Sequence, residues 1–335
     1  MASSPRAAPA RLPYPLLYAG LGVVLLVAAY ASLTLGYKLY SPADIWGLLR
    51  GETGQAQIVL MQYRVPRVVI APLVGAALGV AGLMVQTLSR NRIASPDTLG
   101  LNAGASFAVV VASAGFGVSS MLGLSAAAAT GALLTSLLVF AIAAGSGGLS
   151  PIRIVLIGVT IAGLFSALVE VVLTVRETML DQLLFWLAGA VVDRPLTLVE
   201  TGGPIVLIGI AIAFLLAPSL DILQTDDQTA RGLGVPVALV RAGAFAAIAL
   251  LTGASVAMAG PVGFVGLVVP HAARAMVGLK HTHQFLAAGL FGAIYLTIAD
   301  VVARFVIYPL EAPVGAVTAV VGGIVLVVLL RRRAA

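Results

Sequence analysis

Ten apolar runs, each close to the length that crosses a lipid bilayer, constrain this chain more than any other feature. Charged residues and Pro/Gly-rich breaks separate them, at approximate bounds 14–36, 66–88, 99–116, 119–143, 152–175, 198–217, 238–259, 262–277, 286–307 and 314–330. A helix rises about 1.5 Å per residue, so roughly 20 apolar residues cross a hydrocarbon core of roughly 30 Å. The chain is therefore predicted to be an all-α, polytopic membrane protein with about ten transmembrane helices, forming a single transmembrane domain over residues 1–335.

Residue usage narrows the classes of function. With 60% hydrophobic and 10% charged residues, the chain has too little polar surface for a soluble globule. Its net charge of +6 comes from basic residues scattered singly and in pairs between apolar runs, which is typical of topology-setting loops and predicts no nucleic-acid partner. Without cysteine there are no thiolate metal sites, and His281 and His283 lie in a basic loop without a carboxylate, so no metal site is predicted.

The basic residues also predict how the chain is threaded. With both termini in the cytoplasm, the cytoplasmic loops hold twelve Lys and Arg residues and the outer loops hold seven. Because positive charge is enriched in cytoplasmic loops, we expect this orientation, with a cytoplasmic tail at residues 1–13. The run at 16–35 resembles a signal peptide but lacks a convincing cleavage site, so we interpret it as a retained first helix.

The second run carries a small-residue face and a basic pair. Small residues at each turn between 75 and 82 predict a close approach of neighbouring helices. Arg64 and Arg67 share a helix face at the outer mouth, and we expect Arg304 to reach the same surface. Three outward guanidiniums suit the carboxylates of a docking protein, with separate interfacial anchoring of each arginine as the alternative.

Two acidic residues lie deepest in apolar sequence. Asp300 has Arg304 one turn away, so a local ion pair that holds the helix is the simplest interpretation. Glu170 has no obvious partner, because Arg176 lies nearly two turns on. An intramembrane carboxylate of this kind lines a polar cavity or belongs to a proton relay.

Three segments between runs are candidates for functional loops. In the loop at 218–237, Asp227 or Thr225 is expected to cap the first of two short helices, which form either a handle for a motor subunit or a solvated connector. Prolines and glycines between 260 and 270 are expected to break a helix at membrane depth. At 181–195, Trp186 and its neighbours suit an interfacial or re-entrant helix, or an aromatic belt.

Several ordered motifs resemble the FecCD-like permease subunits of ABC importers for iron-siderophores, haem and vitamin B12. The resemblance runs from about Tyr37 to Arg332. It is carried by RVPR at 64–67, LGLNAGA at 99–105, FWLAGA at 185–190, ARGLGV at 230–235, AGPVGFVGLVVPH with Arg274 at 259–274, and EAPVGAVTA at 311–319.

The resemblance implies a type II ABC importer permease fold in a bacterial inner membrane. Two permease copies or homologues would form a path and carry two cytoplasmic ATPase subunits, while an external binding protein delivers the cargo. ATP and Mg would be bound by the ATPase, since this chain has no GxxxxGK[ST] phosphate loop and no cofactor is expected in it. The chain would not itself be an enzyme.

The resemblance also assigns roles to residues of this chain. Docking of the binding protein would use Arg64, Arg67 and Arg304. Coupling to the ATPase would use Asp227, Thr229, Ala230, Arg231, Gly232, Leu233 and Gly234. Taken together with the sequence setting of these residues, the translocation path or its gates are expected to include Gln86, Asn91, Arg92, Asn102, Glu170 and Trp186.

The sequence departs from the family pattern at two places, and it leaves alternatives for the cargo and for the class of protein. Arg92 replaces the usual proline after Asn91, and residues 322–326 lack the usual Gly-x-Pro-x-Phe. The motifs favour an iron(III)-siderophore-type cargo, with haem or vitamin B12 as the alternative. A proton-coupled secondary transporter using Glu170 or Asp300 is a rival from another class, whereas an intramembrane enzyme lacks a nameable catalytic constellation.

Overall fold

The computed structural model is a bundle of helices, described over residues 13–145, 150–176 and 183–334. Residues 1–12 of the predicted cytoplasmic tail and residues 181–182 of the aromatic segment lie outside these ranges. The helices are α1 Tyr14–Thr34, α2 Pro42–Leu49, α3 Gln55–Val59, α4 Val65–Leu88, α5 Leu101–Phe116, α6 Met121–Gly145, α7 Pro151–Val175, α8 Thr197–Leu223, α9 Asp227–Gly232, α10 Val237–Ala259, α11 Val265–Val277, α12 His281–Ala303 and α13 Val314–Ala334.

The ten predicted spans all correspond to helices. Within the described ranges, seven helical stretches are long and apolar enough to cross a membrane, and three shorter apolar helices, α5, α11 and α13, complete the set. We call the end of the bundle where α1 begins and α13 ends the near end, and the opposite end the far end. The spans alternate in direction between these two ends.

Several bounds differ from the sequence-based expectation, among them those of the ninth span, which is His281–Ala303 rather than 286–307. The second span begins at Gln55, because α3 continues through a π-helical turn at Leu60–Arg64 into α4 and makes one stretch of 34 residues. The sixth span, expected to stop at 217, continues to Leu223, since Pro218 lies inside α8. The eighth span starts only at Val265, and Pro270 lies within α11.

The core forms where α4 meets α10, α11 and α12, and the predicted small-residue face of α4 makes this packing possible. A Cβ added to Gly75 would lie 2.1 Å from the carbonyl oxygen of Gly292 on α12, and one added to Gly82 would lie 2.0 Å from that of Gly266 on α11. The backbones are therefore in direct contact, as the glycine pattern predicted. By contrast α7 is the least buried long span.

Two short segments enter the bundle from opposite ends, residues 183–190, which are helical at 183–187, and residues 89–100, which include a 3-10 turn at Pro96–Leu99. Residues 183–190 dip in from the far end, where Ala190 donates a backbone hydrogen bond to Ala259 at 2.8 Å and Gly315 donates one to Gly189 at 3.0 Å. Residues 89–100 dip in from the near end, so that Pro96 packs against Gly266. Between them the chain turns at 260–264, which is the predicted break at membrane depth.

Candidate functional site

A buried ionic cluster closes the far end of the bundle. Asp300 on α12 accepts a hydrogen bond from Arg67 Nη2 on α4 at 2.8 Å and is paired with Arg304 one turn along its own helix. The other branch of the Arg67 guanidinium, Nη1, lies 2.6 Å from Glu311 Oε2. Asp300 and Arg304 are both 1% exposed. The expected local pair is thus one part of a four-residue network, in which Arg67 uses its planar fork to bind two carboxylates.

The remaining guanidinium groups bind the end of α1. Arg64 Nη1 donates to the carbonyl of Leu35 at 2.8 Å. Arg304 Nη1 donates to the carbonyls of Ser32 and Leu35, each at 2.7 Å. These bonds satisfy carbonyls that the helix end leaves without an intrahelical partner.

The three arginines do not face outward as the sequence suggested. Arg64, Arg67 and Arg304 are 7%, 6% and 1% exposed. Sequence spacing places Arg64 and Arg67 on one face of a helix but does not show that this face is turned towards Asp300, 233 residues away. Their role in docking a binding protein stays a prediction, and Glu311 is the cluster's more exposed member.

A cavity of about 560 Å³ lies beside this cluster at the far end. Trp186 and Glu311 line it together with Phe185, Asp193 and Arg194. Trp186 is 4% exposed and its indole nitrogen has no hydrogen-bond partner among the described residues. The re-entrant interpretation of this segment fits residues 183–190, because they enter the bundle rather than lie along its rim.

Midway along the bundle, the predicted path residue Asn102 meets an acid that the sequence analysis did not single out. Asn102 Nδ2 donates to Asp97 Oδ1, while the Asn102 Oδ1 atom is buried without a partner. Asp97 also accepts from Ser95 Oγ at 3.5 Å, and a Cβ added to Gly263, at the break before α11, would lie 3.6 Å from Asp97 Oδ2. This polar contact joins the segment that enters from the near end to α5, beside the break before α11. Its only sequence signal was an acid and an amide five residues apart.

Gln86 ties α4 to α11. Its side-chain amide donates to the carbonyls of Gly266 and Leu267 at 3.4 and 3.3 Å, and its oxygen accepts from Arg274. These carbonyls lie at the start of α11, beside the break. Gln86 thus holds the broken helix in place.

Asn91 and Arg92 follow α4 at the near end. The Asn91 side chain accepts from the backbone of Ile93 at 3.1 Å and so shapes a local turn. Arg92 is exposed at a cavity wall.

Glu170 lies on the exposed side of α7 and away from the other predicted path residues. Thr160, Gly163, Ala167, Glu170 and Thr174 recur at alternating spacings of three and four residues, and all five are exposed. This periodicity places them on one face of the helix. A polar, small-residue face on a membrane span needs a protein or water neighbour, because a carboxylate in lipid is costly.

The near-end loop carries α9 on an ionic anchor. Asp227 lies 2.9 Å from Arg90 at the end of α4 and 2.9 Å from Arg241 on α10. Asp226, not Asp227 or Thr225, caps the helix, because its carboxylate accepts from the backbone and hydroxyl of Thr229. Those bonds hold the pKa of Asp226 below its usual range.

The rest of this loop is presented to the surroundings. Within the described chain, α9 is the one helix between α8 and α10, where two had been expected. Ala230, within α9, is buried, whereas Leu233, directly after the helix, is 66% exposed. The other exposed residues that had been predicted to couple to an ATPase are Thr229, Arg231, Gly232 and Gly234.

The histidines have structural partners. His281 lies 2.8 Å from Asp221 and 2.9 Å from the Thr87 hydroxyl. His283 stacks on Tyr14 with ring centroids 4.0 Å apart. The sequence analysis missed Asp221, because nothing in the sequence shows that the end of α8 meets the start of α12.

Comparisons with known proteins show which family shares this sequence and architecture. The FecCD transport family matches residues 24–332. The ferric enterobactin transport system permease protein FepD of Escherichia coli (strain K12) is 38% identical over 316 residues, which cover 94% of each chain. The Fe(3+)-citrate import system permease protein YfmD of Bacillus subtilis (strain 168) is 38% identical over 269 residues, covering 79% of each.

A solved structure gives the same result at the level of the fold. An inward-facing structure assigned to the metal-chelate type of ABC transporter superposes with a TM-score of 0.82 at 30% identity, over 95% of this chain and 99% of that one. The superposition covers nearly all of both chains. The likeness therefore includes the whole helical bundle.

Proposed function

The chain belongs to the FecCD transport family, and from that premise we propose that it is the permease of an ATP-driven importer whose cargo is an iron(III)-siderophore-type chelate. Its relatives are named for ferric enterobactin and Fe(3+)-citrate, which supports this class of cargo over haem and vitamin B12. The chain itself provides the path and no ATPase chemistry. ATP and Mg belong to the partner subunits.

The observation that carries the proposal is the near-end helix α9. It is anchored to two spans through Asp227 yet leaves Leu233 and Arg231 exposed. A short helix that is fixed to the bundle and exposed on its outer side can transmit the movement of a bound subunit to α4 and α10. We propose that α9 of each permease binds one cytoplasmic ATPase subunit, so that two permeases carry two ATPase subunits.

The polar face of α7 supports a second permease. Glu170 and Thr174 sit in a span with few contacts to its own chain. A second copy or homologue packed against this face would enclose a hydrated path and remove the carboxylate from lipid. Gln86, Asn91, Arg92, Asn102 and Trp186 would then border the path or its gates.

The far end is assigned to an external binding protein. Arg64, Arg67, Arg304, Asp300 and Glu311 together carry a net charge of +1, from three cations and two anions. A docking carboxylate would reach Arg67 by displacing Glu311, whose side chain is 25% exposed. The near end, with the predicted tail 1–13 and both termini, would face the cytoplasm of a bacterial cell, as the distribution of basic residues indicates.

Uptake into proteoliposomes tests the function. The chain is reconstituted with its candidate ATPase and binding protein, and uptake of radiolabelled ferric enterobactin, ferric citrate, haem and vitamin B12 is measured with and without internal ATP. ATP-dependent uptake of an iron chelate is expected. Uptake of haem or vitamin B12 alone would contradict the proposed iron-chelate cargo. Uptake that is driven by a proton gradient without ATP, and that Glu170→Gln abolishes, would contradict the assignment to ATP-driven importers.

Co-purification isolates the ATPase surface. Leu233→Asp is expected to lose the ATPase subunit, because it places a charge at the centre of the exposed surface. Leu49→Asp is the matched control, since Leu49 is 73% exposed at the far end. Equal ATPase recovery from both variants would contradict the role of α9.

A further inference from the structure

A polar cavity of about 240 Å³ lies at the near end, between the ends of α4, α8 and α11 and the start of α12. Its wall contains Arg90, Arg92 and Arg274, with glutamine, threonine and histidine side chains around them, and no acidic residue. The far-end arginines, by contrast, lie beside Asp300 and Glu311. This cavity therefore concentrates positive charge.

Not all of its charges are neutralised. Arg90 is paired with Asp227 at 2.9 Å. Arg274 binds only a neutral partner, the side-chain oxygen of Gln86. Over residues 13–145, 150–176 and 183–334, no carboxylate lies within ion-pair distance of Arg274 or Arg92.

The polar groups around these two cations are already fixed. Asp221, which contacts the cavity wall at His281, is bound by the ring and the backbone amide of that histidine, at 2.8 and 2.9 Å. Gln284 donates to the Gly278 carbonyl at 2.6 Å. The wall side chains that can still accept hydrogen bonds from Arg92 and Arg274 are neutral, such as the amide oxygen of Gln284, so none of them compensates the two positive charges.

Two uncompensated guanidiniums that face one cavity call for an anion. The charge of Arg92 acts on Arg274, so the two groups repel each other. Each guanidinium has five N–H donors in a planar fork and no acceptor. Only one donor of Arg274 has a described acceptor, and none of Arg92 has one.

We propose that this cavity binds a phosphate group between Arg92 and Arg274. A phosphate monoester carries about −1.5 to −2 charges at pH 7 and matches two cations, whereas a single carboxylate would leave one of them uncompensated. Arginine binds phosphate oxygens through two parallel hydrogen bonds, and phosphate offers enough oxygens for two such forks. The group is either free phosphate or the headgroup of an anionic lipid. The side from which it arrives follows from the orientation proposed above, but the binding itself does not depend on transport.

Calorimetric titration of the purified full-length chain in nanodiscs tests this site. One arm titrates inorganic phosphate against chloride at constant ionic strength in phosphatidylcholine nanodiscs. The second arm repeats the titration in nanodiscs that contain phosphatidic acid. Phosphate that binds equally in both arms identifies free phosphate as the ligand, since the lipid headgroup then does not compete for the site. Phosphate binding that is lost in the second arm, together with phosphatidic acid that is retained through purification and lost in the variants, identifies the lipid headgroup.

Two variants and one control define the outcome. Arg92→Gln is expected to weaken phosphate binding about tenfold or more, as is usual for loss of a charge-assisted hydrogen bond. Arg92 is exposed and has no described contact, so this variant should fold normally; Arg274→Gln tests the second fork. Arg231→Gln, an exposed near-end arginine outside the cavity, should change binding less than twofold.

The proposal fails if neither phosphate nor phosphatidic acid binds the unchanged protein, or if Arg231→Gln weakens binding as much as Arg92→Gln. It also fails if the unchanged protein binds no phosphate while Arg92→Gln loses the ATPase subunit. That result would assign the cavity to an acidic protein surface instead.

Discussion

At the scale of single residues, Asp300 holds the far-end ionic cluster together. It is the shared partner of Arg67 and Arg304, and all three side chains are buried. Removing one member of a buried ion pair strongly lowers the stability of the folded protein, because the partner's charge is left buried without compensation. The far-end cluster is therefore a structural element as well as a candidate docking site.

We expect Asp300→Asn to lower the free energy of unfolding by about 3–5 kcal/mol, since two buried guanidiniums would lose their common carboxylate. The melting temperature in detergent, followed by tryptophan fluorescence, measures this. Glu52→Gln is the control, because Glu52 is exposed at the same end and takes part in no described ion pair. Equal melting temperatures for the two variants would show that the cluster contributes little to stability.

Residue-level expectations from sequence held where the partner was local. The Asp300–Arg304 contact is one helical turn long and visible in sequence, whereas the pairing of Arg67 with Asp300 joins residues 233 positions apart. The same limit hid Asp221 beside His281 and Glu311 beside Arg67. Spacing rules describe one helix, and the burial of Arg64 depends on which face of that helix meets the rest of the bundle.

At the scale of helices, the crossing of α4 and α12 is set by glycine. Gly75 and Gly292 touch through their backbones, so no side chain fits between them. This contact fixes how deeply α12 carries Asp300 towards Arg67. Helix packing and the ionic cluster therefore depend on each other.

Gly75→Ala is expected to destabilise the protein by about 1–3 kcal/mol, as overpacking of a close contact does. Its Cβ would lie 2.1 Å from a backbone oxygen that cannot move aside cheaply. Gly20→Ala on α1 is the matched control, because a Cβ there has no neighbour within 4 Å and alanine favours helix. Thermal unfolding that is unchanged in Gly75→Ala would refute the close crossing.

The anchor of α9 can be tested apart from global stability. Asp227→Ala removes the contacts to Arg90 and Arg241, and we expect faster hydrogen exchange over residues 226–235 with little change in melting temperature. Local opening is expected because the rest of α9 is largely exposed. Exchange that accelerates equally in α4 and α10 would show that Asp227 stabilises the whole bundle instead.

At the scale of the whole molecule, sequence periodicity predicted the number and order of spans, since apolar length is a local property. The sequence also predicted a break between 260 and 270 and offered a re-entrant helix at 181–195, but it did not predict the residue at which α11 begins or the contacts that hold these segments. The late start of α11 at Val265 and the entry of residues 183–190 depend on contacts between segments far apart in sequence, such as that of Ala190 with Ala259. Those contacts satisfy backbone groups that lipid would leave unpaired.

An arrangement in which the second permease is another copy of this chain leads to a cross-linking prediction. The chain has no cysteine, so a single introduced thiol reports only on its own position. We expect Glu170→Cys and Thr174→Cys to form cross-linked dimers with a short bismaleimide in native membranes, because both lie on the exposed polar face of α7. Leu215→Cys, on a span residue that is 79% exposed but apolar, should remain monomeric. Cross-linking at Leu215 alone would move the interface to α8.

The pairing of Arg67 with Asp300 also imposes an order on biogenesis. At about 5–20 residues per second, a ribosome needs on the order of 10–50 s to synthesise the 233 residues between the two partners. During that interval α4 already lies in the translocon or the bilayer with an arginine that has no counter-ion. Arg67 therefore gains its counter-ion Asp300 only once α12 has been inserted, and the far-end cluster is completed late in synthesis.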